Sequence, residues 1–134
     1  MSTPKRTKKS PAKKAPTTLA GKELVDHIVE AALSKKAEQV TVLDMGGASS
    51  LCDYMVIATG DNPFQARAIG REIIDVLTEK KTKPFLVEGL EDGRWVIVDF
   101  TDVLVHVFTR ELRRFYAIEE LWPSAGRTDF SEEA

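Results

Sequence analysis

The sequence predicts an α/β domain built on a mixed five-stranded sheet with flanking helices. Three observations predict it. Stretches of helical periodicity alternate with short β-branched runs in the order α-β-β-α-β-β-β-α. The run "DYMVIATG" is apolar at nearly every position, as a strand covered on both faces must be. A strand, a helix and a further strand follow one another between Tyr54 and Glu88, which is the order of a right-handed parallel crossover.

Each element has its own signal. Leu24, Val25, Ile28, Ala32 and Leu33 recur at helical spacing and predict a first helix from about Ala20 to Lys35. "QVTVLD" predicts a strand over Val40 to Asp44, and Gly46 and Gly47 punctuate the loop that follows. Ahead of the second helix, Asn62 is an N-cap, Pro63 fits the first helical position and Gln65 can complete a capping box. Ala66, Ile69, Ile73, Val76 and Leu77 are its apolar stripe, and Gly70 weakens it unless another backbone comes close there. "PFLVEG" is a short strand, and the Asp92-Gly93 turn introduces another from Trp95 to Asp99. A tight reversal at "FTD" leads into Val103 to Phe108, apolar on both faces and so an interior strand. A last helix is expected from Arg110 to Trp122, stopped by Pro123.

Composition bounds the class. At 134 residues, 43% hydrophobic and 30% charged, the chain reads as one folded domain over residues 19–122. No apolar run reaches the roughly 18 residues of a membrane span, and no apolar signal segment opens the chain. A cytoplasmic location is therefore expected. A single cysteine, Cys52, can form neither an internal disulfide nor a thiolate metal cluster. The net charge of -2 hides an asymmetry. Lys5, Arg6, Lys8, Lys9, Lys13 and Lys14 face no acid within residues 1–19, which leaves the remainder at -8. Residues 1–18 are expected to be a disordered basic tail that can screen RNA phosphate charge nonspecifically, and residues 123–134 a loose acidic tail. The acidic body argues against nucleic acid as the main partner.

The motifs that could carry chemistry are incomplete. "GGASSLCDYM" begins like the Gly-Gly/Ser loop of nucleotidyltransferases, whose following strand bears two carboxylates one residue apart to clamp a metal. Met55 stands where the second carboxylate belongs, so Asp53 is alone. There is no P-loop and no dinucleotide fingerprint. His27 and His106 have no second ligand at metal-binding spacing, so neither a metal nor a cofactor is expected. Asp99 and Asp102 suit the capping of the reversal between strands, and His106 suits a hydrogen-bonded position in the sheet. The rival enzyme reading, a divergent nucleotidyltransferase or hydrolase, would have to use Asp53, Asp99, Asp102 and His106. The rival binding reading is an RNA module led by the lysine tail. The segment "RELRRFYAIEELW" is different in kind. Leu112, Phe115, Tyr116, Ile118, Leu121 and Trp122 spread over more than one helix face, beside Arg113 and Arg114 that can pair with Glu119 or Glu120. Tyr, Trp and Arg are the residues that dominate interfaces.

In this order, "SSLCDYMVIATG", "QARAIGREI", "VEGLEDGRWVIVDFTDVLVHVF" and "RRFYAIEELW" resemble the ribosomal silencing factor family, also called Iojap, over Leu19 to Trp122. The resemblance implies a nucleotidyltransferase-like fold without the catalytic carboxylates, and a binding protein with no enzyme activity. It implies docking on the large ribosomal subunit through its protein fourteen, so that the small subunit cannot join and translation falls in starvation or stationary phase. It also implies a homodimer off the ribosome, and for organelle members a role in large-subunit assembly. Asp53, Thr59, Gly60, Gly89, Asp99, Asp102 and Glu119 match the family's pattern. So do Arg67, Glu88, Trp95, His106, Arg114, Tyr116 and Trp122, which combine polar tips with apolar area and are the expected partner contacts.

Overall fold

In a computed structural model, the described residues are 19–130. The expected basic tail, residues 1–18, and the end of the expected acidic tail, residues 131–134, lie outside them. Helix α1 is Gly21–Ser34, strand β1 Glu38–Asp44, β2 Tyr54–Gly60, α2 Pro63–Glu79, β3 Leu86–Glu88, β4 Trp95–Asp99, β5 Val103–Thr109 and α3 Arg110–Tyr116. A 3-10 turn, Ile118–Leu121, and strand β6, Gly126–Phe130, complete the chain. The strands form one mixed sheet in the order β3-β4-β5-β2-β1-β6. Only β2 and β5 pair in parallel; the other neighbours are antiparallel.

The predicted starts and stops have local causes. The Asn62 side chain accepts the Gln65 N–H at 2.9 Å, and Gln65 Oε1 accepts the Asp61 N–H at 2.6 Å, so the capping box reaches one residue further back than its usual form. Asp99 caps the β4–β5 reversal by accepting the Thr101 N–H at 2.7 Å, where Thr101 holds a φ of 77°. At Gly70 a side chain, Val96 Cγ1, would stand 3.0 Å from an added Cβ; α2 packs there on β4 and not on another backbone. Gly89 is needed more strictly. Its φ is +79°, and a Cβ would come within 2.0 Å of the Trp95 carbonyl oxygen.

Three expectations change. The sheet has six strands and not five, because "GRTDF" pairs along β1 from Asp44↔Gly126 to Val40↔Phe130. The segment has no apolar alternation, so it resembles a loose tail in sequence. It is held by its ladder and by the Thr41 hydroxyl donating to Asp129 at 2.7 Å. The crossover from β2 through α2 reaches β3 in the parallel sense, yet β4 and β5 stand between the two strands. The seven-residue, almost wholly buried β5 takes the place beside β2, and the three-residue, largely exposed β3 goes to the edge. Finally, the expected helix to Trp122 ends at Tyr116. Ala117 adopts a left-handed conformation, φ 42° and ψ 49°, and the chain turns into the 3-10 segment.

The sheet carries two unequal layers. Helices α1 and α2 cover one face with Leu24, Ile28, Ile69, Ile73, Leu77 and their neighbours, packed on Val56, Val96, Val98, Val105 and Val107. On the other face, α3 and the 3-10 turn cover a smaller cluster of Leu43, Met45, Cys52, Met55, Ile57, Phe108 and Ile118. This second face carries the candidate site.

Candidate protein-docking face

Strand register places the polar and aromatic residues of the second face. Residues opposite one another across a ladder point to the same side. Glu88, Ile97, His106, Ile57, Thr41 and Asp129 therefore form one row across all six strands. Trp95 and Phe108 are opposite each other in the next row. From above, α3 sets Tyr116 against both, with ring centroids 4.8 Å from Trp95 and 6.2 Å from Phe108. The Trp95 and Phe108 rings are 4.8 Å apart, a spacing at which aromatic pairs attract beyond their buried area.

His106 completes the cluster. The Trp95 indole N–H donates to His106 Nδ1 at 3.0 Å, which fixes the neutral ring with its proton on Nε2. The ring is 8% exposed and stacks 5.9 Å from Phe108. Burial pushes its pKa down from 6.5 to about 4. It is a neutral acceptor at physiological pH, held inside an aromatic box, and has no serine or cysteine nucleophile in hydrogen-bond reach among the described residues.

Beyond this box the face becomes apolar and open. Tyr116 is 45% exposed, Phe115 75% and Leu121 65%. Phe115 packs edge-on to Tyr116 at 5.0 Å. Large apolar groups so exposed, next to a half-buried Trp and Tyr, are the composition of a protein-binding patch.

A buried cation holds α3 in place. Arg113 is 4% exposed. Its Nε donates to both Glu119 oxygens at 3.3 Å, Nη1 to the Gln39 carbonyl and to Thr59 Oγ1, and Nη2 to Thr41 Oγ1 at 2.9 Å. One guanidinium thus ties α3 to β1, β2 and the 3-10 turn. Burial lowers its pKa and Glu119 opposes that shift. The expected pairing with Glu119 is present, and it explains the left-handed break at Ala117, which brings Glu119 back towards its partner.

The structure sorts the expected contacts into three groups. Trp95, His106 and Tyr116 meet in one cluster, and Trp122 packs, half-buried, against the apolar cluster of the same face. Glu88 lies on this face at the β3 edge, exposed and in the His106 row. Arg114 is exposed on α3 and lines a different concavity, beside Arg113 and Arg127. Arg67 departs from expectation most. It belongs to α2, on the opposite side of the sheet, and donates to the Leu90 and Glu91 carbonyls at 3.0 and 2.9 Å. Its guanidinium fastens the Gly89–Gly93 loop and also lies over the Phe64 ring at 5.5 Å. The expected contacts do not include Phe115 and Leu121, the most exposed large apolar side chains of α3 and the 3-10 turn. The signal was there in the apolar groups spread over more than one face of the last helix.

The Asp53 N–H donates to the Asp102 carbonyl at 2.8 Å, Asp99 accepts the Thr101 N–H, and His106 faces Trp95. No group of three or more potential metal ligands occurs among the described residues. No helix among them is long and apolar enough to cross a membrane.

Comparison with known proteins identifies the family. The model of the family described as "Ribosomal silencing factor during starvation" matches residues 18–134. The chain belongs to this family. The silencing factor RsfS of Halalkalibacterium halodurans is 39% identical over 107 residues, covering 80% of this chain and 92% of that protein. A crystal structure of a Chromobacterium violaceum protein superposes with a TM-score of 0.75 at 35% identity, covering 78% of this chain and 87% of that one. A more distant mouse relative, "Mitochondrial assembly of ribosomal large subunit protein 1", is 25% identical over 101 residues, covering 73% of this chain and 44% of that protein. The RsfS family's α/β architecture is therefore the one described above, with β6 included in the matched span.

Proposed function

We propose that this chain silences translation by docking its second sheet face on the large ribosomal subunit, through that subunit's protein fourteen. The observation that carries this reading is the set of exposed Tyr116, Phe115 and Leu121 beside half-buried Trp95, seated on buried His106 and Phe108. Family membership supplies the ribosomal context, and the name of the mouse relative points to the large subunit. The acidic body complements a basic ribosomal protein and limits nonspecific adhesion to rRNA. A body of about 13 Å radius of gyration, fixed on the joining face, excludes the small subunit by volume alone. Occupancy sets the effect and no turnover is needed. Off the ribosome, a second copy of the chain covers the same apolar patch, and residues 1–18 add phosphate contacts once docked.

The test is co-sedimentation with separated subunits followed by a subunit-joining assay. Stoichiometric pelleting with the large subunit alone, and fewer joined ribosomes, is the expected result. Phe115→Ser combined with Leu121→Ser should abolish both effects while leaving the thermal midpoint nearly unchanged, because both side chains are exposed. Equal pelleting with either subunit, or wild-type docking by the double variant, defeats the reading. Large-subunit assembly is the second reading, favoured by the mouse relative's name. Accumulation of immature large subunits in a deletion strain, with normal joining, would favour it.

A further inference from the structure

We propose that the concavity between α3, β1 and β6 binds the phosphate end of a small phosphorylated metabolite of nucleotide size. Its volume is about 520 Å³, within the range of ligand pockets. Its lining includes Arg113, Arg114 and Arg127 with Glu119 and Asp129.

The unused hydrogen-bonding capacity there belongs to the donors. Both Glu119 oxygens are engaged by Arg113. Asp129 accepts from the Thr41 hydroxyl at 2.7 Å and from Arg127 Nε at 3.2 and 3.3 Å, and these bonds hold its carboxyl below the usual carboxylate range. Against this, Arg113 uses only one of the two N–H groups on Nη2. Arg127 uses only Nε, leaving its two terminal nitrogens open, and Arg114 has no side-chain partner among the described residues. Three cations face two carboxylates, so the pocket is net positive on a body that is otherwise acidic. Planar guanidinium groups bind phosphate oxygens in pairs. The Phe130 ring packs on the other side of the sheet, so the pocket offers its ligand mainly charged and polar groups. The site is separate from the aromatic docking cluster, so it can be tested without ribosomes.

The experiment is calorimetric titration of the full chain at near-physiological ionic strength, where loose surface pairing is screened. The ligands are a nucleoside diphosphate, inorganic pyrophosphate and the unphosphorylated nucleoside. The expected result is saturable one-to-one binding of the diphosphate at millimolar concentration or below, with none of the nucleoside. Pyrophosphate binding as well as the nucleotide also supports the site, and assigns the affinity to the phosphates alone. Arg114→Gln and Arg127→Gln should each weaken binding about tenfold or more. Arg71→Gln, an exposed α2 arginine outside the pocket, should leave it unchanged. Absence of saturable phosphate binding overturns the proposal. Equal affinities for the Arg114, Arg127 and Arg71 variants overturn it too, because the contact would then be a diffuse charge effect.

Discussion

The two faces of the sheet are built differently from the same strands. Under α1 and α2 the contact is mainly aliphatic and continuous, with Val, Ile, Leu and Ala supplied by helices of 14 and 17 residues. Under α3 and the 3-10 turn the cover is a seven-residue helix and a four-residue turn, and the contacts are aromatic and polar. A short cover cannot bury a wide face by its own apolar stripe. It is pinned instead by a buried arginine and leaves apolar area open. One face is closed by two long helices; the other keeps Phe115, Tyr116 and Leu121 exposed, as the proposed docking requires. A domain of this size has little stability to spare, so dividing the roles lets the binding face stay incomplete without unfolding the body.

Three changes probe that division. The largest effect is expected from Arg113→Met on the binding face. It leaves Glu119 without its cation and Thr41, Thr59 and the Gln39 carbonyl without their donor. Removing one partner of a buried pair costs about 3–5 kcal/mol, which denaturant unfolding would read as a lowered midpoint. A loss below about 1 kcal/mol would falsify the view that this side chain pins α3. Next is Ile73→Ala on the helical face, where a fully buried side chain is cut back; about 2–5 kcal/mol is expected. Docking by the folded fraction should be untouched, since the change lies across the sheet from the aromatic cluster. A docking defect in that fraction would mean that the two faces are not independent.

The smallest effect is pH-dependent. His106 titrates near 4 in the folded chain and near 6.5 when unfolded. Between these values the unfolded chain binds the proton and the folded chain does not, so stability falls as pH drops from about 6.5 to about 4. The full span is up to about 3 kcal/mol. His106→Gln keeps a polar side chain beside Trp95 and removes the titration, so its stability should vary less with pH over this window. An unaltered slope would show that other groups govern acid sensitivity.

Much of the fold was legible in the sequence. The apolar spacing of Leu24 to Leu33 marked α1 within a residue at each end, and the stripe from Ala66 to Leu77 with the Asn62 cap and Pro63 marked α2 and its start. The doubly apolar runs from Tyr54 and Val103 marked the two central strands, which are neighbours in the sheet. The candidate site was legible in part. Trp95, His106 and Tyr116 do converge, but they come from two strands and a helix, and their convergence depends on register. Arg67 lies across the sheet from them, on α2, and bonds to the Leu90 and Glu91 carbonyls.

By itself, the sequence determined whatever depends on spacings of two, three or four residues: which segments are helices, which are strands, and which faces are apolar. Only the tertiary structure decided that β6 exists, that Arg113 is buried and that the last helix breaks at Ala117. The physical reason is the distance along the chain to the stabilising partner. Arg113 finds Gln39 and Thr41 across separations of 74 and 72 residues, and Asp129 finds Thr41 across 88. A polar edge strand and a buried cation have no local apolar pattern to announce them; they become favourable only when the folded sheet brings their hydrogen-bond partners within reach.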